Sequence, residues 1–218
     1  MLGFVTGLTA EAALLRGVRA RVVVGGGTPD GALHAARTLA QDKAVSALIS
    51  FGLAGGLDPG LAAGTLLVPR KVLDSQKATY SCELRLTEMF GGATVDALIG
   101  GGSVAVTPEH KRVLFASTGA AAIDLESAAV ARVAAEYGLD FAVLRAIADP
   151  ARRRLPPAAL VALGPDGRIS IEQVLKSVFR RPAQIPDLIA LGREAAAARR
   201  TLQRTLEFYR SRVNTTGT

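Results

Sequence analysis

Apolar positions along this chain follow two periods. Short, nearly continuous apolar runs mark buried strands, and apolar residues repeated every three or four positions mark helices. Met1 to Gly7 predicts a first strand, and Thr9 to Arg16 a first helix with Thr9 as its N-cap. Val22, Val23 and Val24 predict a second strand that runs into Gly25, Gly26 and Gly27. Thr28 and Pro29 then open a helix through Ala40, with Pro29 suited to the first turn. Val45 to Gly52, Gly64 to Pro69 and Ala97 to Val106 read as further strands, the last broken by glycines, and Pro108 starts another helix.

The stretch from Ala122 to Pro150 predicts a strand, a helix and a strand. Ala128, Val130, Val133, Ala134 and Tyr137 recur at helical spacing, and the run "DFAVLRAIA" has the character of a buried parallel strand. Beyond Pro150 come Pro156, Pro157, Pro165 and a turn at Asp166 and Gly167. A helix around Ser170 to Phe179 follows, then a long one from about Pro186 to Arg210. In that last helix Leu188, Leu191, Ala195, Ala198, Leu202, Leu206 and Tyr209 make one narrow apolar face. The alternation of strand and helix argues for an α/β fold with a mixed, largely parallel sheet. With 218 residues, 49% of them apolar, one domain over residues 1–212 is expected, with 151–212 as a helical extension and 213–218 as a flexible tail.

Ligands of open α/β sheets bind beyond the carboxyl ends of strands. Asp149 stands at such an end between Ala148 and Pro150, an apolar setting that raises a carboxyl pKa and suits a proton donor. Glu126 opens the preceding helix. Taken singly, such an Asp can simply cap a turn, and such a Glu can simply satisfy the helix dipole.

Charge changes the picture only at one end. The net charge is +7, but Lys176, Arg180, Arg181, Arg193, Arg199, Arg200, Arg204, Arg210 and Arg212, set against Asp187, Glu194 and Glu207, supply six of those charges. A basic stripe without interleaved aromatics fits a solvated face or an anionic membrane better than nucleic acid. The single cysteine, Cys82, excludes a disulfide framework and makes a cytoplasmic location the default expectation, with the inner membrane surface as its variant. The amino-terminal stretch has no basic n-region and places Glu11 among its apolar residues, unlike a secretory signal. The weakly charged stretch Ala44 to Pro69 is interrupted by glycines and prolines, against a membrane span.

Two glycine-rich turns carry candidate chemistry. "VVVGGGTPDG" misses the dinucleotide fingerprint, because Asp30 stands where a third glycine would be needed, yet its backbone can hold an anion at the following helix start. "SFGLAGGLDPGLAAG" delivers Gly52, Gly55 and Gly56 on a strand and leaves a surface free for a ligand. This run resembles the "G-x-AGGL-x-P-x-L-x-x-G" signature of the nucleoside phosphorylase and nucleosidase superfamily. "AIDLESAAVARVAAEYGLDFAVLRAIAD" resembles the second signature of that superfamily, and Glu11 in "GLTAEAALL" matches the acidic residue after its first strand. The carboxy-terminal pattern, "DPARRRLPPAALVALGPDGR" and "VLKSVFRRPAQIPDLIALGREA", is similar to the hopanoid-associated phosphorylases, which act on adenosylhopane.

The resemblance implies a three-layer α/β/α sandwich, a homodimer, and cleavage of an adenine nucleoside that carries a hydrophobic 5′ group. It makes Asp149 and Glu11 catalytic: Asp149 protonates purine N7, and Glu11 polarises water or faces a hydroxyl beside bound phosphate. It makes Glu126 and Leu125 the ribose contacts, with Arg145 supporting the Glu126 carboxylate. Gly7, Gly25, Gly26, Gly27, Gly52 and Leu53 then form the phosphate or water site, and Gly55, Val104, Val106 and Thr107 the base site. Leu53 and Ala148 stand where relatives often have serine, which together with Glu11 leans towards water as nucleophile. No cofactor is expected beyond inorganic phosphate as a possible co-substrate, and no metal, since His34 and His110 lack partners at ligand spacing. A methylthioadenosine or adenosylhomocysteine nucleosidase is the alternative enzyme, and a silent nucleoside-binding or membrane-associated scaffold the alternative class.

Overall fold

The computed structural model describes residues 1–75, 78–160 and 170–215. Its strands are β1 (Leu2–Thr6), β2 (Ala20–Val24), β3 (Ala47–Gly56), β4 (Leu66–Leu67), β5 (Pro69–Asp74), β6 (Thr79–Ser81), β7 (Val95–Gly100), β8 (Ala122–Asp124) and β9 (Asp140–Asp149). Its helices are α1 (Thr9–Ala12), α2 (Pro29–Ala40), α3 (Leu84–Met89), α4 (Pro108–Thr118), α5 (Ser127–Tyr137), α6 (Pro157–Leu160), α7 (Ile171–Arg180) and α8 (Ile185–Thr215).

One mixed sheet runs through the molecule in the order β2, β1, β3, β8, β7, β5, β6, with β9 along the other flank of β3 and β4 beyond it. The pairings of β1 with β2 and β3, of β3 with β9, and of β7 with β5 and β8 are parallel. Those of β3 with β8, β4 with β9 and β5 with β6 are antiparallel. β3 and β9 are apolar on both faces, as strands at the centre of a covered parallel sheet must be. Alternation along them sends Leu48, Val143 and Ile147 towards α2 and α5, and Ile49, Phe51, Leu144 and Ala146 towards α3 and α8. Helices on both faces give the three layers expected from the sequence.

Several expected elements change on folding. The first helix is a single turn capped at Leu8 rather than Thr9, followed by a 3-10 turn at Ala13–Leu15. The strand foreseen over Ala97 to Val106 is β7, which stops at Gly100, where the chain leaves the sheet. The β5–β6 hairpin and α3 carry patterns too short to stand out in the sequence. The helix foreseen to Arg210 continues to Thr215. Pro165 and the turn at Asp166 and Gly167 lie outside the described residues.

The carboxy-terminal helix contributes to the core. Ala198, Leu202, Leu206 and Tyr209 of α8 are buried against β3, β9 and α3, and the Tyr209 ring lies 5.6 Å from that of Phe90. The Thr201 hydroxyl donates to the Gly64 carbonyl at 2.7 Å, and Arg210 donates to the carbonyls of Leu14 and Arg16. The apolar face of this helix therefore packs on the sheet, in the core.

Leu206→Ala should cost about 2–5 kcal/mol, the range for a buried leucine, in denaturant unfolding. A loss below about 0.5 kcal/mol, typical of surface positions, would make α8 an appendage.

Candidate active site

At the carboxyl ends of β1, β3 and β9 a cavity of about 290 Å³ opens, at the small end of ligand-pocket sizes. Gly7, Glu11, Gly27, Leu53, Gly55, Val104, Leu125, Glu126, Arg145 and Asp149 all line it, so ten residues singled out in the sequence meet in one place. They come from the loops after β1 and β2, from α1, from β3, from the loop after β7, from the β8–α5 junction and from β9. Ser103, Ile123, Asp124 and Leu155 also line it without having been signalled by the sequence, and Ala105 does so from within the strip that starts at Val104.

The floor is organised around Arg145. Strand alternation turns it towards α5, where it is buried. Its guanidinium donates to Glu126 Oε2 at 2.8 Å, to Ser50 Oγ at 2.8 Å and to the Leu53 carbonyl at 3.2 Å. Its Nε lies 2.9 Å from Asp124 Oδ2, although the N–H does not point along that line. Burial disfavours the charge, but Asp124, Glu126 and Glu11 hold the arginine protonated and raise its pKa. Gly52 allows this approach: its φ is 152°, and a Cβ there would stand 2.5 Å from Glu11 Oε1 and 2.6 Å from Arg145 Nη1. Gly52 thus supports the floor from behind instead of lining the cavity.

Glu126 is free for a ligand because a neighbour does the capping. Asp124 Oδ1 accepts the backbone N–H groups of Glu126 and Ser127 at 2.9 and 2.8 Å, and the Ser127 hydroxyl donates to Asp124 Oδ2. The helix dipole is satisfied there, which removes the simple capping explanation for Glu126. Glu126 Oε2 pairs with Arg145, and Oε1 is buried without a hydrogen-bond partner among the described residues. A Cβ on Gly7 would stand 2.5 Å from that oxygen, so glycine keeps the space beside it open. Burial pushes the Glu126 carboxyl up to about 7 against the pull of Arg145, and nearby Glu11 and Asp124 push the same way.

Glu11 lies at the foot of the same floor. Its Oε2 accepts the N–H groups of Gly7 and Leu8 at 3.1 and 2.9 Å, and its Oε1 accepts that of Leu53 at 2.9 Å. Burial raises its pKa, opposed by Arg145 and by these backbone donors.

Asp149 meets a different partner. Lys111 of α4, fully buried, donates to Asp149 Oδ2 at 2.6 Å and to the carbonyls of Asp149 and Pro150 at 3.1 and 3.0 Å. The apolar rim inferred from Ala148 and Pro150 therefore contains an ammonium group. Burial still raises the Asp149 pKa, while Lys111 pulls it down. A basic residue in "TPEHKR" reads as solvated, and only the packing of α4 on the end of β9 reveals its role. Gly55, across the ladder from Asp149, leaves room for that carboxylate, whose Oδ2 would be 3.2 Å from a Cβ.

Four expected contacts fall elsewhere. Gly25 donates its N–H to Thr6 and packs against Ala32, and with Gly26 it borders a separate surface hollow beside His34. The Val106 carbonyl accepts from Leu155, and Thr107 caps α4 through its hydroxyl, so the strip from Val104 leaves the cavity after Ala105. His34 Nδ1 contacts the Asp30 carbonyl on the surface, and His110 is exposed on α4. No aromatic residue lines the cavity among the described residues.

Arg145→Met should lower stability by about 3–5 kcal/mol, because it strands buried carboxylates, and urea unfolding would measure this. Stability should also fall as pH rises. Glu126 has a folded pKa near 7 against an ordinary 4.5, so the folded state binds more protons between those values. Glu126→Gln should flatten that decline between pH 4.5 and 7 in melting scans, and an unchanged slope would assign it to other groups.

The sequence profile of the Phosphorylase superfamily matches residues 92–180, which hold Glu126, Arg145 and Asp149. No curated protein matches the chain by sequence. Among solved structures, the methylthioadenosine/S-adenosylhomocysteine nucleosidase of Helicobacter pylori superposes with a TM-score of 0.65 at 15% identity, covering 94% of this chain and 97% of that one. The S-adenosylhomocysteine nucleosidase of Streptococcus pyogenes, in complex with 5-methylthiotubericidin, gives 0.68 at 16% identity over 94% and 95%. A futalosine hydrolase mutant of Helicobacter pylori gives 0.65 at 15% over 94% and 98%. The chain thus has the fold of these nucleosidases, and residues 92–180 carry the sequence pattern of the Phosphorylase superfamily.

Proposed function

We propose that this protein cleaves the N-glycosidic bond of an adenine nucleoside with an apolar 5′ substituent, adenosylhopane being the substrate to which the sequence pattern points. The observation that carries the reading is the pairing, in one cavity, of a shielded acid at Asp149 with a carboxylate at Glu126 whose Oε1 is buried and unpartnered. Such an oxygen accepts well from the ribose 2′ and 3′ hydroxyls.

In the proposed reaction Asp149 gives its proton to N7 of the base as the bond from the base nitrogen to C1′ breaks, and the electron pair leaves on a neutral adenine. Glu126 stabilises the positive charge that develops on the sugar. Water adds to C1′ and passes its proton to Glu11, completing the product; Glu11 then releases that proton to solvent while Asp149 takes one up, which restores both groups. Placement of a raised-pKa acid and a charge-stabilising carboxylate in one site is a recurrent arrangement for this type of chemistry.

Water is preferred over phosphate on electrostatic grounds. Arg145 is the cation among the described lining residues, and it is already held by Glu126 and Asp124. An incoming phosphate would also face the carboxylate of Glu11. Leu8, Val104, Leu125 and Leu155 give the cavity an apolar wall suited to a hydrophobic 5′ group. A second reading, hydrolysis of methylthioadenosine or adenosylhomocysteine, is supported by the nucleosidases of similar fold. The reading also carries the expected homodimer, for which the exposed Val113 on α4 offers an apolar contact.

Free adenine should be released from 5′-substituted adenosines without added phosphate, faster for long apolar substituents than for methylthio. Strict dependence on phosphate would reverse the choice of nucleophile, and a preference for methylthio the choice of substrate. Asp149→Asn should lower kcat by at least about a hundredfold, the scale of a general acid, and near-normal turnover would remove the mechanism.

A further inference from the structure

Helix α7 presents an unusual surface for a segment tied to a ligand cavity. Phe179 is 90% exposed and Leu175, one turn earlier, 62%, so the two form a protruding apolar stripe. Beside it Lys176, Arg180 and Arg181 line one groove together with Gln173 and Ser177. Glu172 is the acidic side chain of this helix, and it is already paired with Lys176 at 2.5 Å. The local charge is therefore positive. Leu160 on α6 and Ile185 and Ile189 at the start of α8 add further exposed apolar side chains to the same segment.

From this we infer that α7 docks the protein on an anionic lipid surface, with Phe179 and Leu175 entering the headgroup boundary and Lys176, Arg180 and Arg181 meeting the lipid phosphates. The combination of a short apolar stripe with flanking long cations is what interfacial helices use, since the stems can snorkel while the heads stay with the phosphates. A protein partner is the poorer fit. A stable protein interface buries about 800 Å² on each side, far more than two protruding side chains on a ten-residue helix provide. Basic residues would also deter association of this face with a second copy of itself.

The surface is mechanically joined to the cavity. Gln184, buried after α7, donates through Nε2 to the Ser177 carbonyl at 2.8 Å and accepts the Ala158 N–H at 2.9 Å. Ala158 is in α6, shortly after Leu155 on the cavity wall, so docking would hold that wall next to the lipid. The docking itself stands on exposed residues and charge. Only its purpose, delivery of a lipid-linked nucleoside, rests on the proposed function.

Co-sedimentation of the full chain with vesicles tests this. Binding is expected to vesicles containing phosphatidylglycerol, to fade with salt, and to be weak with phosphatidylcholine alone. Phe179→Ser should reduce partitioning about tenfold. The joint change of Lys176, Arg180 and Arg181 to Gln should reduce it about fivefold per charge. Helix content by circular dichroism should be unchanged in both variants, whatever the outcome of the adenine-release assays. Absence of binding to anionic vesicles, or equal binding by wild type and both variants, would overturn the inference. So would a wild-type dimer that Phe179→Ser converts to monomers, since that face would then cover a second copy.

Discussion

A guanidinium sealed beneath the cavity is the constraint on which the rest of this structure depends. Arg145 is tolerable inside the protein only because Glu126, Asp124 and Glu11 surround it, and those carboxylates are tolerable so close together only because of Arg145. The cluster joins β9 to β3 through Ser50 and the Leu53 carbonyl, and to the start of α5 through Glu126. Three acids around one base leave an excess of negative charge, which is why burial and mutual repulsion keep Glu126 well above its ordinary pKa. This arrangement sacrifices stability at neutral pH to hold a poised carboxylate under a ligand cavity.

The two acids offered to a ligand differ in what restrains them. Glu126 is fixed by a planar guanidinium that occupies one oxygen and leaves the other open. Asp149 is fixed by a lysine whose other donors hold the backbone of the turn itself, so carboxylate and turn move together. A rigid charge stabiliser and an acid close to a buried ammonium suit a reaction in which positive charge grows on a sugar while a proton moves to the base. Small residues at positions 7, 52 and 55 make this geometry possible, because side chains there would fill the space the carboxylates occupy.

The carboxy-terminal segment divides its work between two helices. α8 closes one face of the sheet and contributes the leucines the core needs. α7 leaves its aromatic and aliphatic residues in solvent beside a basic groove. Residue type alone does not separate them, because both carry apolar positions at helical spacing and both are basic. What separates them is placement: Leu202 and Leu206 of α8 are buried on the sheet, whereas Leu175 and Phe179 of α7 are exposed.

The sequence by itself determined an α/β fold with a mixed, largely parallel sheet, since runs of apolar residues and their periods are local properties of the chain. It also marked Asp149, at the end of the apolar run "DFAVLRAIAD", and Glu126, at a helix start, whereas Arg145 was marked only through the resemblance. Glu11, Gly7, Gly52 and Gly55 were legible as well, through glycines and an acid set against strand ends and through the signatures they resemble. Only the tertiary structure decided which neighbours complete the site. Lys111 reaches Asp149 across 38 residues of chain, Asp124 rather than Glu126 caps α5, and the strips at Gly25–Gly26 and Val106–Thr107 turn away from the cavity. The physical reason is range: periodicity reports which face of an element is buried, whereas a hydrogen bond between distant elements depends on how those elements are stacked, and no local pattern encodes that.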